Sequence, residues 1–110
     1  MRPITLKLNK EFRRAYGRGK SFVSPVLVTY IVPNRLGYVR IGITVGKKIG
    51  GAVKRNRAKR IIMAAFMKLR GHISGSVDIV FVARGRTPFA TSDDCFEAMS
   101  RHLSSAGVLE

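Results

Sequence analysis

Between Glu11 and Asp78 the chain carries fifteen Lys or Arg side chains and no carboxylate, yet Val, Ile, Tyr and Phe recur through the same interval at strand and helix spacings. A segment charged with one sign cannot neutralise itself in internal ion pairs, so its cations must decorate the outside of whatever core the apolar residues build. The regular apolar spacing argues for a folded surface and against a charged tail. The densest part is Ala52-Val-Lys-Arg-Asn-Arg-Ala-Lys-Arg60, with five cations in nine residues. This run opens a helical pattern, where the backbone already presents partial positive charge. Each exposed cation in that first turn costs a few tenths to about 1 kcal/mol, and an anionic partner reverses the sign of the effect.

With 110 residues, 45% of them hydrophobic, the chain suits one domain with a single core spanning residues 1–110. Asn9 is placed to cap a short helix through Tyr16, and Gly17-Arg-Gly19 stops it. Val26 to Val32 is β-branched and aromatic, Pro33 to Gly37 reads as a turn, and Tyr38 to Val45 alternates apolar with polar residues, so these two strands are expected to form a hairpin. Val53 to about Arg70 is the longest helix, Ser76 to Arg84 a further strand, and Ser92-Asp93-Asp94 offers an N-cap and acidic first turn to a last helix through about Ser105. The order is α-β-β-α-β-α, with a further short strand near Ser21 to Val23.

Projected at about 100° per residue, the long helix places Ala58, Ile62, Ala65, Phe66 and Leu69 on the arc that must face a sheet. Asn56, Arg57 and Arg60 fall opposite, Arg55 and Lys59 lie on one flank, and Lys54 stands at the start of the run. Lys47 and Lys48 extend the patch into the preceding glycine-rich loop, which makes seven cations from Lys47 to Arg60. Arginine forks, glycines that permit close approach and helix N–H groups all bind phosphate oxygens. A merely solvated face mixes charge signs. Here, with a formal net charge of +15, no acid is interleaved, and the partner expected is a nucleic acid.

At these residues the sequence resembles the protein subunit of bacterial ribonuclease P, on the stretch RIGITVGKKIGGAVKRNRAKRIIMAAF from Arg40 to Phe66 and more weakly over nearly the whole chain. The resemblance implies an α+β fold, a two-layer α/β sandwich in the order α-β-β-β-α-β-α, with a left-handed βαβ crossover. It implies that Lys47, Lys48, Lys54, Arg55, Asn56, Arg57, Lys59 and Arg60 face the catalytic RNA. It also implies a cleft between the first helix and the sheet, binding the single-stranded 5′ leader of precursor tRNA through Phe12, Tyr16, Val28 and Tyr30. From the residues alone Phe12 and Tyr16 read first as packed core, since an aromatic pair on a short helix usually packs inward, and second as a stacking platform, with Arg13 and Arg14 beside them supplying cations for phosphates. Gly46, Gly51 and Met63 depart from the common family pattern.

A protein nuclease needs clustered carboxylates or a histidine-based acid and base. Asp78 stands alone in its strand, Asp93 and Asp94 suit helix capping, and His72, Cys95 and His102 lack metal-ligand spacing. The resemblance accordingly implies that the RNA subunit performs phosphodiester hydrolysis with Mg2+ bound mainly by that RNA. Partners expected are the catalytic RNA and precursor tRNA, without DNA or membrane. A lone cysteine and the lack of a long apolar run point to the cytoplasm. Composition and pattern alone suit a ribosomal or other structural RNA-binding protein equally well.

Overall fold

The computed structural model describes residues 3–110, which run as α1 (Asn9–Arg18), β1 (Lys20–Val23), β2 (Leu27–Pro33), β3 (Arg40–Thr44), α2 (Ala52–Leu69), β4 (Val77–Ala83) and α3 (Ser92–Ser105). Short 3-10 turns lie at Lys47–Ile49, Arg70–His72 and Thr87–Phe89. The seven elements follow the order expected from the resemblance, and the fold is α+β.

The sheet order is β1-β2-β4-β3. β2 therefore pairs antiparallel with β1 and β4, while β3 pairs parallel with β4. The expected hairpin between β2 and β3 does not form, because β4 lies between them. The reason lies in β4 itself, where every residue except Val82 is buried. A strand apolar on both faces is accommodated only inside a sheet, with a ladder on each side. The alternation in Tyr38 to Val45 selects a face but carries no information about the partner strand.

The two sheet faces are covered unequally. Leu27, Ile31, Ile41, Ile79 and Phe81 pack against Ala58, Ile62, Ala65, Phe66 and Leu69 of α2 and against Met99 and Leu103 of α3. The arc of α2 read from periodicity is thus its buried arc. On the opposite face α1 covers Val32 and Val80 with Ala15, next to Leu6, and Val28, Tyr30 and Val82 are left half-buried. The sandwich of sheet against α2 and α3 consequently carries α1 as a partial third layer.

Two helix caps lie one residue earlier than expected. Leu8, which has no polar side chain to cap with, occupies the cap position of α1 in place of Asn9, and Glu11 reaches back from the first turn to accept from the N–H groups of Lys7 (2.9 Å) and Leu8 (2.8 Å). Thr91, not Ser92, caps α3, its hydroxyl accepting from Asp94 N–H (3.1 Å) while the Asp94 carboxylate accepts from Thr91 N–H (3.0 Å). Among the described residues no helix is long and apolar enough to cross a membrane.

Candidate nucleic-acid interfaces

The first surface is built by α2 and the loop before it. Gly50 has φ +139°, and a Cβ there would stand 2.8 Å from the Lys54 side chain, so this turn requires glycine. The turn leaves Lys47 and Lys48 exposed, close to the helix start. Asn56, Lys59 and Arg60 line a shallow groove with Val53 and Met63. Asn56 and Lys59 also meet Arg55 above the end of β3, at Ile43 and Val45. Arg55 is half-buried there, and its Nε is buried without a hydrogen-bond partner. An unpartnered buried donor is costly in isolation and is satisfied by an incoming acceptor.

Arg57 is separated from the group in which the projection put it. Its Nε donates to the Pro88 carbonyl (2.7 Å), which turns it to the other flank of α2 with Lys54, whose Nζ lies 5.4 Å from the centre of the Phe89 ring. Helical projection assumes that side chains extend radially, and this one bends to a fixed acceptor. Among the described residues, none of the seven cations from Lys47 to Arg60 forms an ion pair with a carboxylate.

The second surface is the part of the sheet that α1 leaves open. Tyr16 and Tyr30 meet edge to face with centroids 5.0 Å apart, and the Tyr16 hydroxyl shares a hydrogen bond with Thr44 Oγ1 (2.6 Å). Tyr16 is 39% exposed, whereas Phe12 is half-buried over Gly42, where an added Cβ would stand 2.5 Å from its ring. Of this pair, Phe12 is packed and Tyr16 is open to solvent. Val28 lies on the same face, paired across the ladder with Val82 and Val23. Arg13 is exposed on α1. Arg14 turns away from Val28, to the opposite end of β2, donating to the Pro33 carbonyl (2.7 Å).

What holds α1 in place was not visible in the sequence. Asp78, 1% exposed, accepts a two-pronged contact from Arg40, through Nε (2.9 Å) and Nη2 (2.8 Å), and a third bond from Asn34 Nδ2 (2.8 Å). Arg40 Nη1 also donates to Glu11 on α1, and Arg14 Nη1 stands 3.8 Å from Asp78. Asp78 accordingly raises the Arg40 pKa, while backbone N–H groups of Leu8 and Lys7, and then Arg40, lower that of Glu11. Asp78 and Arg40 are direct partners across the parallel β3–β4 ladder. Only the pairing of those two strands, which the hairpin expectation concealed, could have revealed them.

Three further titratable groups, Asp93, Cys95 and His102, have structural surroundings. Asp93 pairs with Lys68 (2.8 Å), Cys95 is a buried free thiol pushed up to about 11 by burial, and His102 Nδ1 shares a hydrogen bond with Thr29 Oγ1 (2.8 Å) beneath Phe22. Among the described residues no group of three or more His, Cys, Asp or Glu side chains could hold a metal ion.

A family model described as Ribonuclease P matches residues 1–107. The ribonuclease P protein component of Alkaliphilus metalliredigens is 41% identical over 92% of this chain and 84% of the relative. That of Clostridium botulinum is 38% identical over 98% of both chains. The solved RNase P protein of Staphylococcus aureus superposes with a TM-score of 0.84 at 32% identity, covering 99% of this chain and 100% of that one.

Proposed function

The chain belongs to the bacterial ribonuclease P protein family, and we propose that it divides its work between two surfaces, α2 with its loop holding the RNA subunit and the open sheet face beside α1 holding the 5′ leader of precursor tRNA. As a member of that family it is the accessory, RNA-binding protein component of an endoribonuclease that processes tRNA 5′ ends. The observation that carries the division is electrostatic. Among the described residues, the seven cations from Lys47 to Arg60, five on α2 and two in the turn before it, have no carboxylate partner, whereas the aromatic face beside α1 has its Arg40 tied to Asp78 and Glu11.

Lys47, Lys48, Lys54, Arg55, Asn56, Arg57, Lys59 and Arg60 meet the phosphates and edges of the RNA subunit in this reading. Its folded helices present closely spaced phosphates, and a one-signed surface relieves their repulsion. Tyr16, Tyr30 and Val28 form a platform for unpaired bases of the leader, Phe12 supports that platform from beneath, and Arg13 reaches the leader phosphates. Arg14, engaged with Pro33, lies at the margin of this site.

Hydrolysis of the phosphodiester bond belongs to the RNA subunit and the magnesium it binds. Three of the chain's carboxylates are already engaged, Asp78 by Arg40 and Asn34, Asp93 by Lys68, and Asp94 by the cap of α3. The protein then contributes substrate affinity and lowers the magnesium requirement of the complex. A cytoplasmic setting belongs to the same reading, supported by the free thiol of Cys95.

The test reconstitutes the full chain with transcribed RNA subunit and measures cleavage of precursor tRNA against magnesium concentration. Activity at lower magnesium with the protein than without it is expected. An unchanged magnesium requirement, together with no retention of the RNA subunit on the protein, contradicts the reading.

A further inference from the structure

Phe89 is 73% exposed, the most exposed aromatic side chain among the described residues, and it lies outside the Tyr16–Tyr30 platform and the groove of Asn56, Lys59 and Arg60. The backbone beneath it is held firmly. Thr87 and Pro88 are buried, Thr87 Oγ1 donates to the Val26 carbonyl (2.7 Å) and accepts from Arg84 N–H (2.8 Å), and Phe89 N–H donates to the Arg86 carbonyl (3.0 Å). Pro88 fixes its own φ, and its carbonyl accepts from Arg57 on α2. The ring is therefore displayed to solvent by a turn anchored at both ends, and little order remains to be imposed when something docks on it.

The neighbours of the ring say what that is. Lys54 Nζ lies 5.4 Å from its centre and Arg57 is bound to the residue before it, so an apolar partner covering Phe89 would bury two cations without counter-charges. A nucleobase flanked by its own phosphates covers the ring and meets both charges. The turn adjoins α2, on the sheet face opposite the Tyr16–Tyr30 platform.

We propose that Phe89 stacks on an unpaired base of the RNA subunit, with Lys54 and Arg57 on the adjoining phosphates, so that the RNA-binding surface wraps both flanks of α2. This rests on the reading of α2 as the RNA-subunit surface and adds to it an aromatic contact on the flank away from Asn56, Lys59 and Arg60. Lys54 and Arg57 contribute charge there, and Phe89 contributes affinity that does not depend on salt.

The experiment compares the parent, Phe89→Ala, Phe89→Trp and the double variant Lys59→Ala/Arg60→Ala for binding to transcribed RNA subunit and to precursor tRNA over a salt series, with thermal melts confirming the fold. Phe89→Ala should weaken binding to the RNA subunit by about 5- to 150-fold, the range for one stacked base, with the parent's salt slope and unchanged affinity for precursor tRNA. Phe89→Trp should retain affinity. The chain has no tryptophan of its own, so the fluorescence of this variant reports on the position alone and should be quenched on RNA binding. Equal affinity of Phe89→Ala and the parent, a loss confined to precursor tRNA, or fluorescence unmoved at saturating RNA overturns the proposal. In those cases weakening by Lys59→Ala/Arg60→Ala leaves the α2 reading standing, whereas no weakening by either variant removes that reading as well.

Discussion

The two surfaces treat positive charge in opposite ways. Beside α1, Arg40 is clamped by Asp78 and Glu11, and Arg14 leans on the Pro33 carbonyl. On α2 and the turn before it, the cations from Lys47 to Arg60 have no carboxylate partner among the described residues. Charge on the first surface works inward, positioning a helix against a sheet. On the second it stays available to a polyanion. The same residue type thus has a structural effect where acids accompany it and a binding effect where they do not, and removing it should have different consequences in the two places.

The largest expected effect is on the inward side. Arg40→Met leaves Asp78 buried with Asn34 and a distant Arg14 as its partners, and should destabilise the fold by about 3–5 kcal/mol, read from denaturant or thermal unfolding. Loss of less than about 1 kcal/mol would show that the clamp is dispensable. On the outward side stability should hold while affinity depends on salt. If about six phosphates are neutralised, binding to the RNA subunit should weaken on the order of 10³-fold between 50 and 200 mM salt, and a flat profile would break the comparison.

A smaller effect probes how α1 shapes the platform. Gly42→Ala places a methyl group against the Phe12 ring, so Phe12 must shift. The expected outcome is about 1–3 kcal/mol of lost stability with weaker binding of leader-bearing tRNA and unaltered binding to the RNA subunit. The smallest effect concerns the covered face. Burial, followed by the nearby Arg101 charge, lowers the His102 pKa in the fold. A depressed folded value means stability that is present above the unfolded value of about 6.5 and is lost as pH falls through the folded one. Melting temperature should drop between pH 7.5 and pH 5.5, and His102→Gln should flatten that drop.

The legible parts of the molecule were those set by local pattern. The buried arc of α2 follows from 3.6-residue periodicity alone, and its exposed cations follow from the missing acids. Strand partners were not legible, because Tyr38 to Val45 presents the same alternation to β2 as to β4, and the choice is made by β4's need for two neighbours. With the partner unknown, Asp78 looked solitary, although Arg40 lies beside it in the ladder. Phe89 gives no signal in the sequence, because a single aromatic after a proline has no period. Its exposure is a tertiary property of the turn that Thr87 anchors. Periodicity groups Arg57 with Asn56 and Arg60, whereas the folded chain turns it toward Lys54, since its acceptor is a carbonyl thirty-one residues away.

The division of labour itself is tested most directly by crossing the two surfaces against the two RNAs. Tyr16→Ala, Lys59→Ala/Arg60→Ala and the combination of both are each titrated with RNA subunit, with precursor tRNA bearing a leader of several nucleotides, and with leaderless tRNA. The account predicts that Tyr16→Ala loses about 1–3 kcal/mol on leader-bearing tRNA only, that the α2 variant loses affinity for the RNA subunit, and that the combined losses add within about 0.5 kcal/mol. Parallel losses on all three RNAs from Tyr16→Ala, or a strongly non-additive combination, would contradict the existence of two separate surfaces.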